Sequence, residues 1–94
     1  MEFLVQIAVN LPADLPDDRR RALLHEEWVK GRELRRDGAI VRIWRVPGAL
    51  RNVGIWKARD ATELHSNISS LPLFKWFDVQ VTALAAHPVE AEGD

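Results

Sequence analysis

AIVRIWRVPGALRNVGIWK, residues 39 to 57, reads as two strands joined by a turn. Ala39 to Val46 is dense in β-branched and aromatic side chains, and PGAL at 47 to 50 carries turn chemistry. Asn52 to Lys57 is extended again. Two strands so close in the chain pair antiparallel, as a hairpin.

The flanks supply the other elements. Residues 2 to 10 alternate, with Phe3, Val5, Ile7 and Val9 on one side and Gln6 and Asn10 on the other, which is the period of a half-buried strand. LPADLPDD is a turn-rich connector. From about Asp18 to Asp37, Leu23, Glu27, Gly31 and Leu34 recur at helical spacing, and Gly38 provides a stop. After the hairpin, Asp60 followed by Glu63 has the form of a capping box. Ala61, Leu64, His65 and Ile68 then mark the apolar side of a short helix that ends before Pro72. Phe77, Val79, Val81 and Ala83 alternate with Asp78, Gln80 and Thr82 as a last strand, and HPVEAEGD follows as a polar tail. The order βαββαβ is that of an α+β, ferredoxin-like fold: a four-stranded antiparallel sheet with two helices on one face, of the dimeric α+β barrel type. Residues 1–94 are expected to form one domain, with 88–94 loose or packed on a neighbour.

The sheet face away from the helices is expected to carry Leu4, Ala8, Trp44 and Trp56, more apolar surface than a monomer exposes comfortably. Burial against a symmetry mate follows as an expectation, a homo-oligomer. Tryptophans covered by the chain's own loops are the competing arrangement.

Composition narrows the function. At 94 residues, a domain buries only about two-thirds of its unfolded surface and benefits from partners. Fourteen acids against thirteen bases leave a formal charge of −1, which argues against nucleic acid and anionic membranes as partners. No cysteine is present, excluding disulfides and thiolate chemistry and fitting a reducing cytoplasm. No apolar run of membrane-spanning length occurs, and MEFLVQIAVN lacks the form of a signal peptide. Histidines 25, 65 and 87 are too scattered for a metal site, and no phosphate loop, HExxH or GxSxG is present. Cofactor-free proton transfer or plain binding remains.

Four residues are candidates for that chemistry. Glu27 falls within roughly 40° of both Leu23 and Leu34 on the apolar stripe of the first helix. Burial there disfavours a carboxylate and lifts its pKa toward the range of a general acid/base; Gly31, one turn on, leaves room for a small ligand. The competing reading has Glu27 reaching solvent or pairing with an arginine. His65 sits on the apolar side of the second helix, so the two stripes point to one shared pocket, unless His65 is simply a hydrogen-bonded core residue. Arg45 shares strand parity with Val41 and Ile43, where a guanidinium needs an anion. A substrate carboxylate bound bidentately is one such anion, and Glu27 or Asp78 is another. Asn52 offers a donor and an acceptor just after the turn, or serves the turn itself.

VNLP at 9 to 12, Glu27, Gly38, IWRVPG at 43 to 48, Asn52, LH at 64 and 65, LPLF at 71 to 74, Asp78, and HP at 87 and 88 together resemble the muconolactone Δ-isomerase family. The likeness runs from the first strand to Pro88 without an insertion. It implies a ferredoxin-like fold, assembly into a decamer, cytoplasmic location, no cofactor, and a role in aromatic catabolism through the 3-oxoadipate pathway. The reaction it implies converts (S)-muconolactone, a small-molecule lactone, into 3-oxoadipate enol-lactone. A proton moves from the ring carbon bearing the carboxymethyl group to the carbon beside the lactone carbonyl. Under that likeness Glu27 is the proton shuttle, Arg45 holds the carboxymethyl group, and Asn52 or His65 hydrogen-bonds the lactone. Family members often have aromatic residues where this chain has Ile40, Leu50 and Val53, and a proline and a tyrosine where it has Lys75 and Trp76, so substrate preference is open. The rival readings are a chloromuconolactone dehalogenase, an isomerase of a substituted muconolactone, a cofactor-free monooxygenase of the dimeric α+β barrel type and a non-catalytic ligand-binding or assembly domain.

Overall fold

The computed structural model describes residues 1–90. Its elements are β1 (Glu2–Val9), α1 (Asp17–Arg36), β2 (Ile40–Val46), β3 (Arg51–Lys57), α2 (Ala61–Ser69) and β4 (Phe77–Leu84), with short 3-10 turns at Phe74–Trp76 and Pro88–Glu90. The strands form one antiparallel sheet in the order β2-β3-β1-β4, which is the ferredoxin-like topology expected. Of the tail, Pro88–Glu90 turns as a 3-10 helix, and residues 91 to 94 lie outside the described residues.

Local chemistry sets the helix ends. α1 carries Asp17 and Asp18 in its first turn and Arg35 and Arg36 in its last, each matched to the macrodipole. Gly38 then takes φ +85°, the left-handed stop that glycine adopts without a side-chain penalty. At α2 the Glu63 backbone N–H donates to Asp60 Oδ1 at 2.8 Å. Glu63 Oε1 accepts from Arg59 N–H at 3.0 Å, so the capping box closes one residue earlier than the usual form.

The core lies between the sheet and the helices. Phe3, Val5 and Ile7 of β1 meet Leu34 of α1, Ile68 of α2 and Trp56 of β3, all buried. Trp56 is therefore not on the open face as expected: it pairs with Phe3 and Ile40 on the helix side and is 1% exposed. Parity within one strand does not fix the face of another; register with β1 decides it. The open face carries Leu4, Ala8, Trp44 and Leu84, with Val53 and Ile55 between.

A register shift between Ile40 and Arg42 changes the other parity expectation. Arg45 and Ile43 share a face as expected, the helix side; Ile40 joins them there, and Val41, left without a ladder partner by the bulge, drops out of the alternation. Gly54, opposite Ile43, is needed there: a Cβ would lie 2.8 Å from the Arg42 carbonyl oxygen. Asn52 is not a turn residue but the second residue of β3, paired with Ile7 on one side and Arg45 on the other.

Candidate active site

A cavity of about 510 Å³ opens between α1 and the β2 edge of the sheet, within the range of small-molecule sites. Helix α1 contributes Glu27 and Gly31, β2 contributes Ile40 and Arg45, β3 contributes Asn52 and Trp56, and the loop after α2 contributes Leu71 and Leu73. A Cβ built on Gly31 meets nothing within 4 Å, so this glycine does leave open space beside Glu27.

Glu27 is half-buried, and its Oε1 accepts a hydrogen bond from the Leu73 backbone N–H at 3.0 Å. Burial pushes its carboxyl above the ordinary glutamate value, while the Leu73 N–H, which favours the charged form, pulls partly the other way. Leu73 can hold that amide in place because its loop is a chain of turns: Leu71 N–H bonds Ile68 O, Phe74 N–H bonds Leu71 O, and Trp76 N–H bonds Leu73 O. The LPLF segment is thus the structure that orients the carboxyl.

Arg45 and Asn52 are directly paired across the β2–β3 ladder, placing their side chains next to each other at the cavity. Arg45 makes no ion pair with Glu27 or Asp78 among the described residues. Asp78 lies on β4, at the opposite edge of the sheet, out of reach. Asn52 is half-buried; its Oδ1 is shielded and has no partner among the described residues, and neither has Trp56 Nε1. The amide's other end, Nδ2, is the donor available for a ligand.

His65 is separated from this group. It lines a second cavity, between α2 and β4, with Phe74, Phe77 and Val79, and its ring stands edge-on to Phe74 at 5.8 Å and 85°. The single pocket expected from the two helix stripes is two pockets. α2 packs toward the β4 side of the sheet, and His65 is an exposed residue of that helix.

Several wall residues escaped the sequence reading. Trp28, Arg32 and Arg35 lie at helical spacing along α1 beside the Glu27–Gly31 row and also line the cavity, as do Arg42 and Arg51. Arg32 Cζ stands 5.5 Å from the Trp28 ring centroid. Their spacing was a usable signal, obscured because a charged helix face ordinarily faces solvent. Ile40 and Leu50, two of the positions that depart from the family pattern, line the cavity; Val53 faces the open side of the sheet.

The muconolactone delta-isomerase family model matches residues 1–90. The chain is 33% identical over 94 residues to muconolactone delta-isomerase 2 of Acinetobacter lwoffii, covering 100% of this chain and 98% of that relative. It is 35% identical over 88 residues to the muconolactone delta-isomerase of Cupriavidus pinatubonensis, covering 94% and 96%. The crystal structure of a muconolactone isomerase superposes with a TM-score of 0.90 at 30% identity, covering 100% of this chain and 98% of that one. The matches span the whole chain in both sequence and fold, and the chain belongs to the muconolactone delta-isomerase family.

Proposed function

We propose that this chain is a cofactor-independent isomerase that converts (S)-muconolactone into 3-oxoadipate enol-lactone in the catechol branch of the 3-oxoadipate pathway. The observation that carries this reading is the Glu27 carboxyl, set in the cavity wall, raised in pKa by burial and held at one oxygen by the Leu73 amide.

The reaction needs a base that removes one proton and returns it nearby. The departing proton sits on the ring carbon bearing the carboxymethyl group, where conjugation through the ring double bond to the lactone carbonyl makes it acidic. Glu27 takes it, the electron pair spreads to the carbonyl oxygen as a dienolate, and Glu27, now a neutral carboxylic acid, returns the proton to the carbon beside the carbonyl. The double bond has then moved by one position with no net gain or loss of atoms. A carboxyl with a raised pKa suits both halves of the shuttle, since the same group must accept and then release the proton. Arg45 binds the carboxymethyl carboxylate and the neighbouring Asn52 amide donates to the lactone oxygen, where charge develops. His65, in the other cavity, has no part in these contacts.

The apolar open sheet face supports a homo-oligomer, with the decamer that the family resemblance implies as its proposed form. Among the described residues no helix is long and apolar enough to cross a membrane, and a cytoplasmic location is proposed with the pathway.

A second reading is favoured by Ile40 and Leu50, which line the cavity at positions often aromatic in the family and leave room for a substituent on the lactone or its side chain. It makes the substrate a substituted lactone, including 5-chloromuconolactone, from which the same proton abstraction expels chloride. Ultraviolet and NMR assays with both lactones separate the readings. Enol-lactone from (S)-muconolactone at the higher kcat/KM supports the isomerase, faster chloride release supports a dehalogenase, and no turnover of either leaves a binding domain.

A further inference from the structure

Arg32, Arg35, Arg42, Arg45 and Arg51 all border the Glu27 cavity, and Glu27 is the one carboxylate among its described lining residues; Arg42 and Arg51 pair with Ile55 and Ala8 on the open sheet face, which leaves Arg32, Arg35 and Arg45 as the guanidinium groups on the cavity side. Acids outnumber bases 14 to 13 over the whole chain, so this is a local concentration of positive charge. The ion pairs among the described residues, Lys30–Glu33 and Arg59–Glu63, involve none of the five. None of these arginines forms an ion pair with Glu27 among the described residues.

Like charges gathered around one opening repel one another, most directly Arg32 and Arg35, three residues apart on α1. Arg35 also serves the helix C-terminus, but Arg32 lies before the last turn and has no such role. Arg32 instead lies over Trp28, whose face supports its guanidinium at the cavity, while Arg42 lies over Trp44 on the open sheet face. A lactone with one carboxylate engages Arg45 and leaves the helix pair without an anion.

Building on the isomerase reading, we propose that the preferred substrate is a dianion: a muconolactone-type ring with a second carboxylate, the carboxymethyl group held by Arg45 and the second carboxylate by Arg32 and Arg35. Chemistry limits where that group attaches. The carbon that loses the proton needs its hydrogen, and the carbon that gains it ends as a CH₂. The ring carbon between them is untouched by the shift and can carry the carboxylate throughout.

The test pairs binding with turnover. Calorimetry on the full chain uses two saturated γ-lactones, which lack the acidified proton: one with the carboxymethyl group alone, one with an added carboxylate on the middle ring carbon. The proposal predicts that the dicarboxylate binds at least about tenfold more tightly, the scale of one charge-assisted hydrogen bond. That ratio falls toward one in the Arg32→Gln/Arg35→Gln variant and, independently of any variant, contracts at high salt. Equal or weaker binding of the dicarboxylate overturns the proposal, as does a ratio that survives loss of both arginines. Turnover of the two unsaturated lactones is measured alongside. Dianion-selective binding without turnover of either removes the isomerase reading and leaves the substrate-class inference standing. Turnover of (S)-muconolactone without dianion selectivity does the reverse, and assigns the arginines to acidic groups of another copy of this chain.

Discussion

The Leu73 backbone N–H donates to Glu27 Oε1 at 3.0 Å, joining the middle of α1 to a loop 46 residues further along the chain. A carboxylate anchored at one oxygen by a backbone donor loses rotational freedom and presents its other oxygen to the cavity in a fixed direction. That is the pre-organisation a proton shuttle needs, because the two ring carbons it serves lie close together on one face of the lactone.

The raised pKa of Glu27 sets the acid limb of the activity profile. The base form is required, so kcat/KM is expected to fall as pH drops through the Glu27 pKa, with the inflection above the 4.5 of an unperturbed glutamate. A pH–rate profile on the purified enzyme measures it. An inflection at or below 4.5 contradicts the burial argument.

The same shift has a stability sign. A carboxyl whose folded pKa exceeds its unfolded one favours folding at low pH, and that contribution is lost as pH rises through the folded value. Glu27→Gln has no such titration. Melting curves across this window are expected to show the variant gaining on the wild type as pH rises; a constant difference counts against a perturbed Glu27.

Arg45 meets the carboxymethyl group as a bidentate partner, a geometry that lysine cannot copy. Arg45→Lys is expected to raise KM by about tenfold or more, from weakening a charge-assisted contact of about 1.5–3 kcal/mol, with a smaller effect on kcat. Steady-state kinetics with (S)-muconolactone decide it, and an unchanged KM removes Arg45 from binding.

Much of this was readable from residue spacing. The alternation of β1 and β4, the hairpin of β2 and β3, and the place of Glu27 between Leu23 and Leu34 all follow from local period, and the structure agrees. What failed depended on relations between elements. The face of Trp56 is set by pairing with Phe3, the parity of Val41 is interrupted by a bulge, and the pocket of His65 is set by where α2 lies on the sheet. The Leu73 amide was invisible for another reason: a backbone donor has no letter of its own, so LPLF registered as a family motif and not as a clamp on Glu27.

Gly31 separates space from stability. A Cβ there meets nothing, so Gly31→Ala is expected to fold and to gain about 0.8–1 kcal/mol of helix propensity, measurable by denaturant titration. Gly31→Phe places a ring in the cavity and is expected to abolish lactone binding with the fold intact. Wild-type kinetics in the Phe variant would show that the substrate lies elsewhere.

The most direct test of the account is the turnover of (S)-muconolactone by the wild type and by Glu27→Gln, side by side, with melting curves and sedimentation to establish that both are folded and equally assembled. The account predicts enol-lactone formation by the wild type and a loss of about a hundredfold or more in kcat for the variant, the scale of general-base removal. A folded Glu27→Gln enzyme that keeps wild-type turnover contradicts it.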